Sequence, residues 1–292
     1  MRRIAVELDP PAEAEASGFL EGAERLRRAG ADLITIADSP MGRPRMDSAL
    51  LSCKLKRERG IEPLPHLTCR DRNGIALRGL LLGLAMEGVH RVLLVTGDPV
   101  PREDPEGAKG VFQYNSPALI RTVRQWNDTV FSQPFRIYAA LNVNSRNFSR
   151  QLERAKEKEA AGADGFFTQP VLSREALENL KQARDTLRGE IFGGIFPVVS
   201  ERNARFLNDN VQGIRVGDEI LARYIGADRE QGQILAEEIS CTMAAELAPW
   251  TDGLYLMTPF RRIGLMEAIL RRIRGSGTEE TGKDVRFSQK KD

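Results

Sequence analysis

Residues 29–37 read AGADLITIA, and residues 161–169 read AGADGFFTQ. Each stretch holds a glycine able to take the left-handed conformation that closes a helix, then an aspartate, then a run of strand length. An amphipathic segment leads into the first. Across 19–29, Phe19, Ala23, Leu26 and Ala29 recur at helical spacing, with Glu21, Glu24, Arg25 and Arg28 between them. Residues 147–161 lead into the second in the same way. The two stretches read as one helix-to-strand unit used twice, a weak internal repeat.

The same alternation extends along the chain. Strands are expected at 3–8, 32–37, 62–67, 91–96, 135–141, 164–169, 190–196 and 253–257, eight in all. Their cores are mostly apolar rather than strictly alternating, as suits parallel strands covered on both faces. Amphipathic segments at 173–188 and 229–247 fall between them. Eight βα units in 292 residues predict an α/β fold, a single-domain (β/α)8 TIM barrel. A doubly wound open sheet would usually show a G-x-G-x-x-G turn after its first strand, where this chain has VELDPPAEAE. Extra helices at 201–209, 217–224 and 229–247 precede the last strand. The barrel domain is expected over 1–273. The end, 274–292, is polar and is expected to be a mobile tail.

Composition narrows the function classes. The apolar share of 41% suits a chain with a real core, and 43 basic against 41 acidic residues give no excess that would favour a nucleic-acid partner. Cys53, Cys69 and Cys241 lack C-x-x-C spacing, which argues against a disulfide framework or structural zinc and for a reducing compartment. Two histidines, His66 and His90, are too few for a histidine-rich metal centre. The start, MRRIAVELDPP, has no apolar leader, and no stretch nears the ~20 apolar residues of a membrane helix. A cytoplasmic location with no membrane or nucleic-acid partner is expected, and no metal.

In such barrels, reactive groups sit at the carboxyl ends of the strands. Those ends carry Glu7 and Asp9; Asp38 and Ser39; His66, Thr68, Arg70 and Asp71; Thr96 and Asp98; Asn142 and Asn144; Thr168 and Gln169; Thr258 and Arg261. A strand-end aspartate before proline is often a turn former, so Asp98 alone is evenly balanced between structure and function. Gly97 beside it could let another molecule approach the backbone. Glu7 lies inside an apolar strand, where an unpartnered carboxylate is costly, which favours function. An isolated His66 is by default a core histidine, and His90, before a strand, is structural. Phe166 and Phe167 read as core. Cys69 lacks a second histidine to activate it as a nucleophile.

HLTCRDRN (66–73), LLGLAMEGVHRVLLVTGDP (81–99), AGADGFFTQPV (161–171), GGIFPV (193–198) and LYLMTPFRR (254–262) together resemble the methylenetetrahydrofolate reductase family. With VELDPP at the start, the likeness is closest to the bacterial subgroup fused behind a homocysteine S-methyltransferase domain, and it runs from about residue 3 to about residue 273. No methyltransferase domain precedes Met1 in this sequence, and no adjacent cysteine pair is present. The expectation is a stand-alone reductase or a shortened form of a longer protein.

The resemblance implies a flavin-dependent barrel using FAD, which reduces 5,10-methylenetetrahydrofolate to 5-methyltetrahydrofolate with NADH, NADPH or a protein as electron donor. It implies Glu7 as general acid and Asp98 as the aspartate beside the flavin, with Gln169 and Arg261 binding the folate. His66, Thr96, Gly97, Asp98, Tyr114, Ala140, Asn142 and Lys158 match flavin-contact positions, Lys158 facing the pyrophosphate. Self-association into a homo-oligomer is implied as well. Two positions depart from the pattern: Glu201 stands where other members have an aromatic residue that helps hold the nicotinamide donor, and Gln151 replaces an acidic flavin contact. The alternatives are a non-catalytic folate- or flavin-binding subunit of a larger complex and another pterin-using barrel enzyme. An aldolase would need a strand-tip lysine, which these tips lack.

Overall fold

The structure, a computed structural model, describes residues 2–101, 103, 107–211 and 213–275. Among these the chain runs β1 (Arg3–Leu8), α1 (Ser17–Ala29), β2 (Leu33–Ile36), α2 (Ser48–Arg59), β3 (Pro63–Thr68), α3 (Gly74–Met86), β4 (Arg91–Val95), α4 (Ser116–Thr129) and β5 (Arg136–Leu141). It continues through α5 (Phe148–Ala160), β6 (Gly165–Pro170), α6 (Arg174–Thr186), β7 (Glu190–Ile195), α7 (Glu201–Asn210), α8 (Asp218–Arg223), α9 (Arg229–Leu247), β8 (Gly253–Met257) and α10 (Ile263–Gly275). The strands pair in parallel in chain order, and β8 closes on β1, giving a single-domain (β/α)8 TIM barrel. All eight expected strands form, and α7, α8 and α9 are the extra helices before β8. The last helix continues to Gly275, two residues past the expected end of the barrel, and the rest of the expected tail, 276–292, lies outside the described residues. No described helix is long and apolar enough to cross a membrane.

The repeated AGAD stretches do the same physical work twice. Gly30 and Gly162 end their helices at φ +116° and +110°. Asp32 then accepts a hydrogen bond from the Ile4 amide of β1 (2.7 Å), and Asp164 accepts one from the Ile137 amide of β5 (2.7 Å). Each carboxylate is also held by an arginine from the helix before that strand: Arg274 of α10 on Asp32 and, at 2.9 Å, Arg124 of α4 on Asp164. A third copy of the device lacks the AGAD spelling. Asp252, before β8, accepts from the Ile191 amide of β7 (2.8 Å) and pairs with Arg184 of α6 (2.7 Å). These staples lock the amino-terminal rim, and the Arg274 copy joins the last helix to the first strand.

Two apolar shells form the core. The larger lies between sheet and helices and includes Ile4, Val6, Ile34, Leu94, Ile137 and Phe166. The second fills the barrel with Ala5, Leu64, Leu93, Tyr138, Phe167, Phe192, Tyr255 and Met257. Strand alternation thus sends the adjacent Phe166 and Phe167 to opposite shells, both core. Inside, the Phe167 and Phe192 rings stack with centroids 4.5 Å apart, and Tyr138 and Tyr255 meet Phe167 edge-on at 5.2 and 5.0 Å. Gly253 makes room for this plug, since a Cβ there would come within 2.4 Å of the Phe192 ring. Below it, Arg3 and Arg136 (2.7 Å) pair with Glu190, which also accepts from the Tyr138 hydroxyl (3.1 Å). The amino-terminal end is thereby sealed, and the opposite end holds the strand tips.

Candidate active site

Five non-glycine residues among those described have positive φ, between 40° and 58°: Ser39, Met41, Phe112, Phe260 and Arg261. All lie on loops that follow β2, β4 or β8, at the carboxyl rim. Unfavourable backbone geometry collects where a site must hold an unusual shape. The capping asparagines and serines Asn73, Asn115, Asn147, Ser173 and Ser200 fix where α3 to α7 leave this rim, each contributing about 1 kcal/mol.

Glu7 sits in the mouth, above the aromatic plug. Its register partners are Thr35 on β2 and Met257 on β8. The Tyr255 hydroxyl, from the layer beneath, donates to Glu7 Oε2, and His66 Nε2 lies 3.7 Å from the same oxygen. Burial, reinforced by the nearby Asp9 charge, lifts the Glu7 carboxyl to about 7, against the pull of the Tyr255 hydrogen bond. Burial also drives His66 down to about 4, although Asp38 pulls the other way. His66 is therefore neutral at physiological pH, and its proximity to Glu7 is not an ion pair. Its Nε2 is buried without a hydrogen-bond partner among the described residues. Burial raises Asp9 too, countered by Arg45 and Arg261.

Arg261 leans over the loop after β1, its guanidinium 3.4 Å from the Pro10 carbonyl oxygen and 4.0 Å from Glu13. Gln169 stands three strands round the barrel from Glu7. A register shift between β6 and β7 accompanies it, and the Thr168 hydroxyl accepts from the Gly194 amide (2.8 Å) and donates to the Gln169 carbonyl (2.8 Å). Asn142 lies nearby across Gly213, and both line a cleft of about 750 Å3 together with Asn144, Arg146, Arg215 and Asp218.

Thr96, Gly97 and Asp98 follow β4, between the tips of β3 and β5. Thr96 reaches toward the Ser116 hydroxyl (3.4 Å), and Asp98, exposed, accepts from the Met41 amide (2.9 Å). The Cβ side of Gly97 is filled: its φ is +88°, and a Cβ would meet the Thr68 Cβ at 2.8 Å, so the packing of β3 on β4 requires a glycine here. Tyr114 places its hydroxyl over Gly74 at the start of α3, where a Cβ would come within 2.8 Å of it. Lys158, half-buried on α5, donates to the Ala140 carbonyl at the tip of β5 (2.7 Å), and burial, with Arg154 adjacent, lowers its ammonium to about 8. A desolvated ammonium with one acceptor retains two donors for an anion.

Three residues that hold the site carry no assigned role in the sequence reading. Tyr255 is one. Arg70, 2% exposed, donates to the backbone carbonyls of Asp38, Ser39 and Asp98 at 3.1 to 3.3 Å, tying three rim loops together. Asp38 accepts from the Thr68 amide (2.9 Å) and pairs with Arg72 (2.7 Å), which makes it structural. Cys69 is fully buried and its thiol is pushed up to about 12, which leaves it unreactive. His90 packs its ring on Phe135 (5.6 Å) before β4, away from the mouth. Glu201 opens α7 and pairs with Arg205 at 2.8 Å, a favourable place for an acid at a helix start.

The family model for methylenetetrahydrofolate reductase matches residues 2–273. Among solved structures, an uncharacterized Clostridium thermocellum protein that binds two copies of 5-methyl-5,6,7,8-tetrahydrofolic acid has a TM-score of 0.66 at 13% identity, covering 94% of this chain and 95% of that one. A structure from Aquifex aeolicus VF5 has a TM-score of 0.53 at 12% identity, covering 94% and 92%. Mycobacterium tuberculosis tryptophan synthase in its aminoacrylate-bound form has 0.51 at 11%, covering 93% and 91%. At these identities the structural likeness speaks for the barrel and not for a shared reaction.

Proposed function

This chain belongs to the methylenetetrahydrofolate reductase family, and on that premise we propose that it reduces 5,10-methylenetetrahydrofolate to 5-methyltetrahydrofolate, with Glu7 as the proton donor. The observation that carries this reading is the Glu7 carboxyl, largely buried at the end of β1 between Tyr255 and His66 and raised to about 7. An acid of that strength still has its proton near neutral pH and can give it up. Protonating the bridging nitrogen of the substrate opens its five-membered ring and leaves an electrophilic iminium. The neighbouring His66 is neutral, so it does not hold Glu7 in its ionised form.

Asp98 contributes a carboxylate at the tip of β4, anchored through the Met41 amide, where it favours the cationic iminium over its neutral precursor. The Gln169 side-chain amide offers both a donor and an acceptor to the mixed edge of a pterin. Arg261 offers a guanidinium from the opposite side of the mouth. The ligand of the Clostridium thermocellum neighbour, a methylated reduced folate, is the product this reading expects.

The residues suit FAD. His66, Thr96, Gly97, Asp98, Tyr114, Ala140 and Asn142 lie on or beside the tips of three consecutive strands, β3 to β5, and Lys158 brings its sparsely bonded ammonium to the same side. Thr96, Asp98 and Asn142 would take polar atoms of the cofactor, and Lys158 its pyrophosphate. A bound flavin would supply the hydride. NADH, NADPH or a protein would recharge it, and stopped-flow mixing with each nicotinamide separates these donors. A cytoplasmic, self-associating protein completes the reading, either alone or as the reductase part of a fusion with homocysteine S-methyltransferase.

The test is to load the purified protein with FAD, bleach the flavin absorbance with a reductant and add methylenetetrahydrofolate. The colour is expected to return. Glu7→Gln should leave flavin reduction within about twofold of wild type and slow reoxidation by the folate at least ~100-fold, the scale of a lost general acid. Equal losses in both halves would remove Glu7 from the acid role, and a protein that takes up no flavin would overturn the reading.

A further inference from the structure

The Glu7 carboxyl has two oxygens, and the fold treats them differently. Oε2 accepts from the Tyr255 hydroxyl, while Oε1 makes no hydrogen bond among the described residues. Tyr255 has little freedom to move. It is 5% exposed, and its ring is held edge-on by Phe167 at 5.0 Å, within the aromatic plug. The strand register puts Ala5 opposite Tyr255 and Glu7 opposite Met257, so the phenol rises from the layer under the carboxyl.

The other groups around Glu7 do not do this job. Asp9 follows the same strand and only adds negative charge, itself faced by Arg45 and Arg261. His66 approaches from β3 but is 3.7 Å away, and its Nε2 forms no hydrogen bond among the described residues. The partner position on β2 is Thr35, which is uncharged.

A carboxylic acid carries its proton on one oxygen and accepts readily at the other. A hydroxyl that donates to Oε2 therefore marks Oε2 as the carbonyl oxygen and leaves the acidic proton on Oε1. We propose that Tyr255 is the positioning residue for the Glu7 acid: it fixes the carboxyl plane and selects Oε1 as the oxygen that delivers the proton to the folate nitrogen. This rests on Glu7 being the proton donor. It adds that the donor's orientation comes from a residue 248 positions away in sequence.

The test follows the Glu7 carboxyl itself by carbon-13 NMR in the full-length protein, with Glu7→Gln identifying the signal. Tyr255→Phe keeps the ring and its packing and removes only the hydroxyl. Its Glu7 midpoint should rise by about one pH unit, because a hydrogen bond that favours the carboxylate is gone. The basic limb of folate reduction should move up with it, and the maximal rate of that step should fall about tenfold as orientation is lost. Flavin reduction should not change. In the wild type, which needs no folding control, the Tyr255 Cζ resonance should titrate with the Glu7 midpoint. A Tyr255 resonance that stays flat through that midpoint, or a Tyr255→Phe midpoint within about 0.2 unit of wild type, would overturn the proposal. If wild type shows no folate turnover, the reading of the site falls, while the midpoint shift still reports whether the Tyr255 contact exists.

Discussion

Glu7 costs the fold stability at the pH where it is useful. In an unfolded chain its carboxyl titrates near 4.5, and in the folded protein near 7. Between those values the native state holds a proton that the unfolded chain has released, so this group's contribution to stability falls as pH rises through the window. The separation corresponds to about 3–4 kcal/mol at roughly 1.4 kcal/mol per unit. Glu7→Gln should therefore unfold at higher denaturant than wild type at pH 8, by about that energy, and the gap should close below about pH 5. His66 acts in the opposite sense. Its folded value near 4 lies below an unfolded 6.5, so its stabilising effect is complete above pH 6.5 and is lost as pH falls toward 4. Equilibrium urea titrations across pH 4–8 on wild type, Glu7→Gln and His66→Gln would resolve the two slopes. A Glu7→Gln protein no more stable than wild type at pH 8 would contradict the buried-acid description. The sequence already singled out Glu7, because a carboxylate in an apolar strand is visible as such. It left Tyr255 as an ordinary strand residue, since in LYLM nothing marks a tyrosine whose partner is on β1.

At the scale of elements, the repeat that revealed the fold is a physical device. Asp32→Ala removes the acceptor of the Ile4 amide and the partner of Arg274, and should cost about 1–2 kcal/mol in thermal or urea unfolding. Arg274→Ala should cost a similar amount, and the double variant should cost less than the sum, because both remove one contact. Full additivity would mean that the pair is not coupled. AGAD spelled out two of these staples. Asp252 escaped notice because it follows PWT rather than a helix-closing glycine, although its amide and arginine partners are equivalent. Gly97 shows the same limit from the other side. Its place before Asp98 points to a ligand, and nothing in the local sequence reveals that Thr68, from β3, packs against it as well. Gly97→Ala should lose about 2 kcal/mol or more, from the positive φ and the 2.8 Å contact together, as measured by urea unfolding. Little or no loss would mean that the Thr68 side can yield.

Taken whole, the molecule has one closed end and one open end that holds the candidate site. Arg3, Arg136 and Glu190 seal the first, the aromatic stack fills the middle, and the strained loops, Arg70 and the Glu7 cluster make the second. The eight-fold alternation and the apolar strand cores made the barrel legible in the sequence, because every unit repeats the same local physics. The sealing ion pairs and the bracing by Arg70 were not legible, since they join residues from separate units, and the non-glycine positive-φ positions have no residue-type signature. On the proposed function, this open end carries a largely buried acid whose proton goes to the substrate. The most direct test is a single-turnover measurement, in which protein with pre-reduced flavin is mixed with methylenetetrahydrofolate at pH 5–9. The rate should be flat on the acid side, decline tenfold per pH unit above about 7, and lose that dependence in Glu7→Gln. A wild-type rate independent of pH across the range, or a decline that persists in Glu7→Gln, would contradict it.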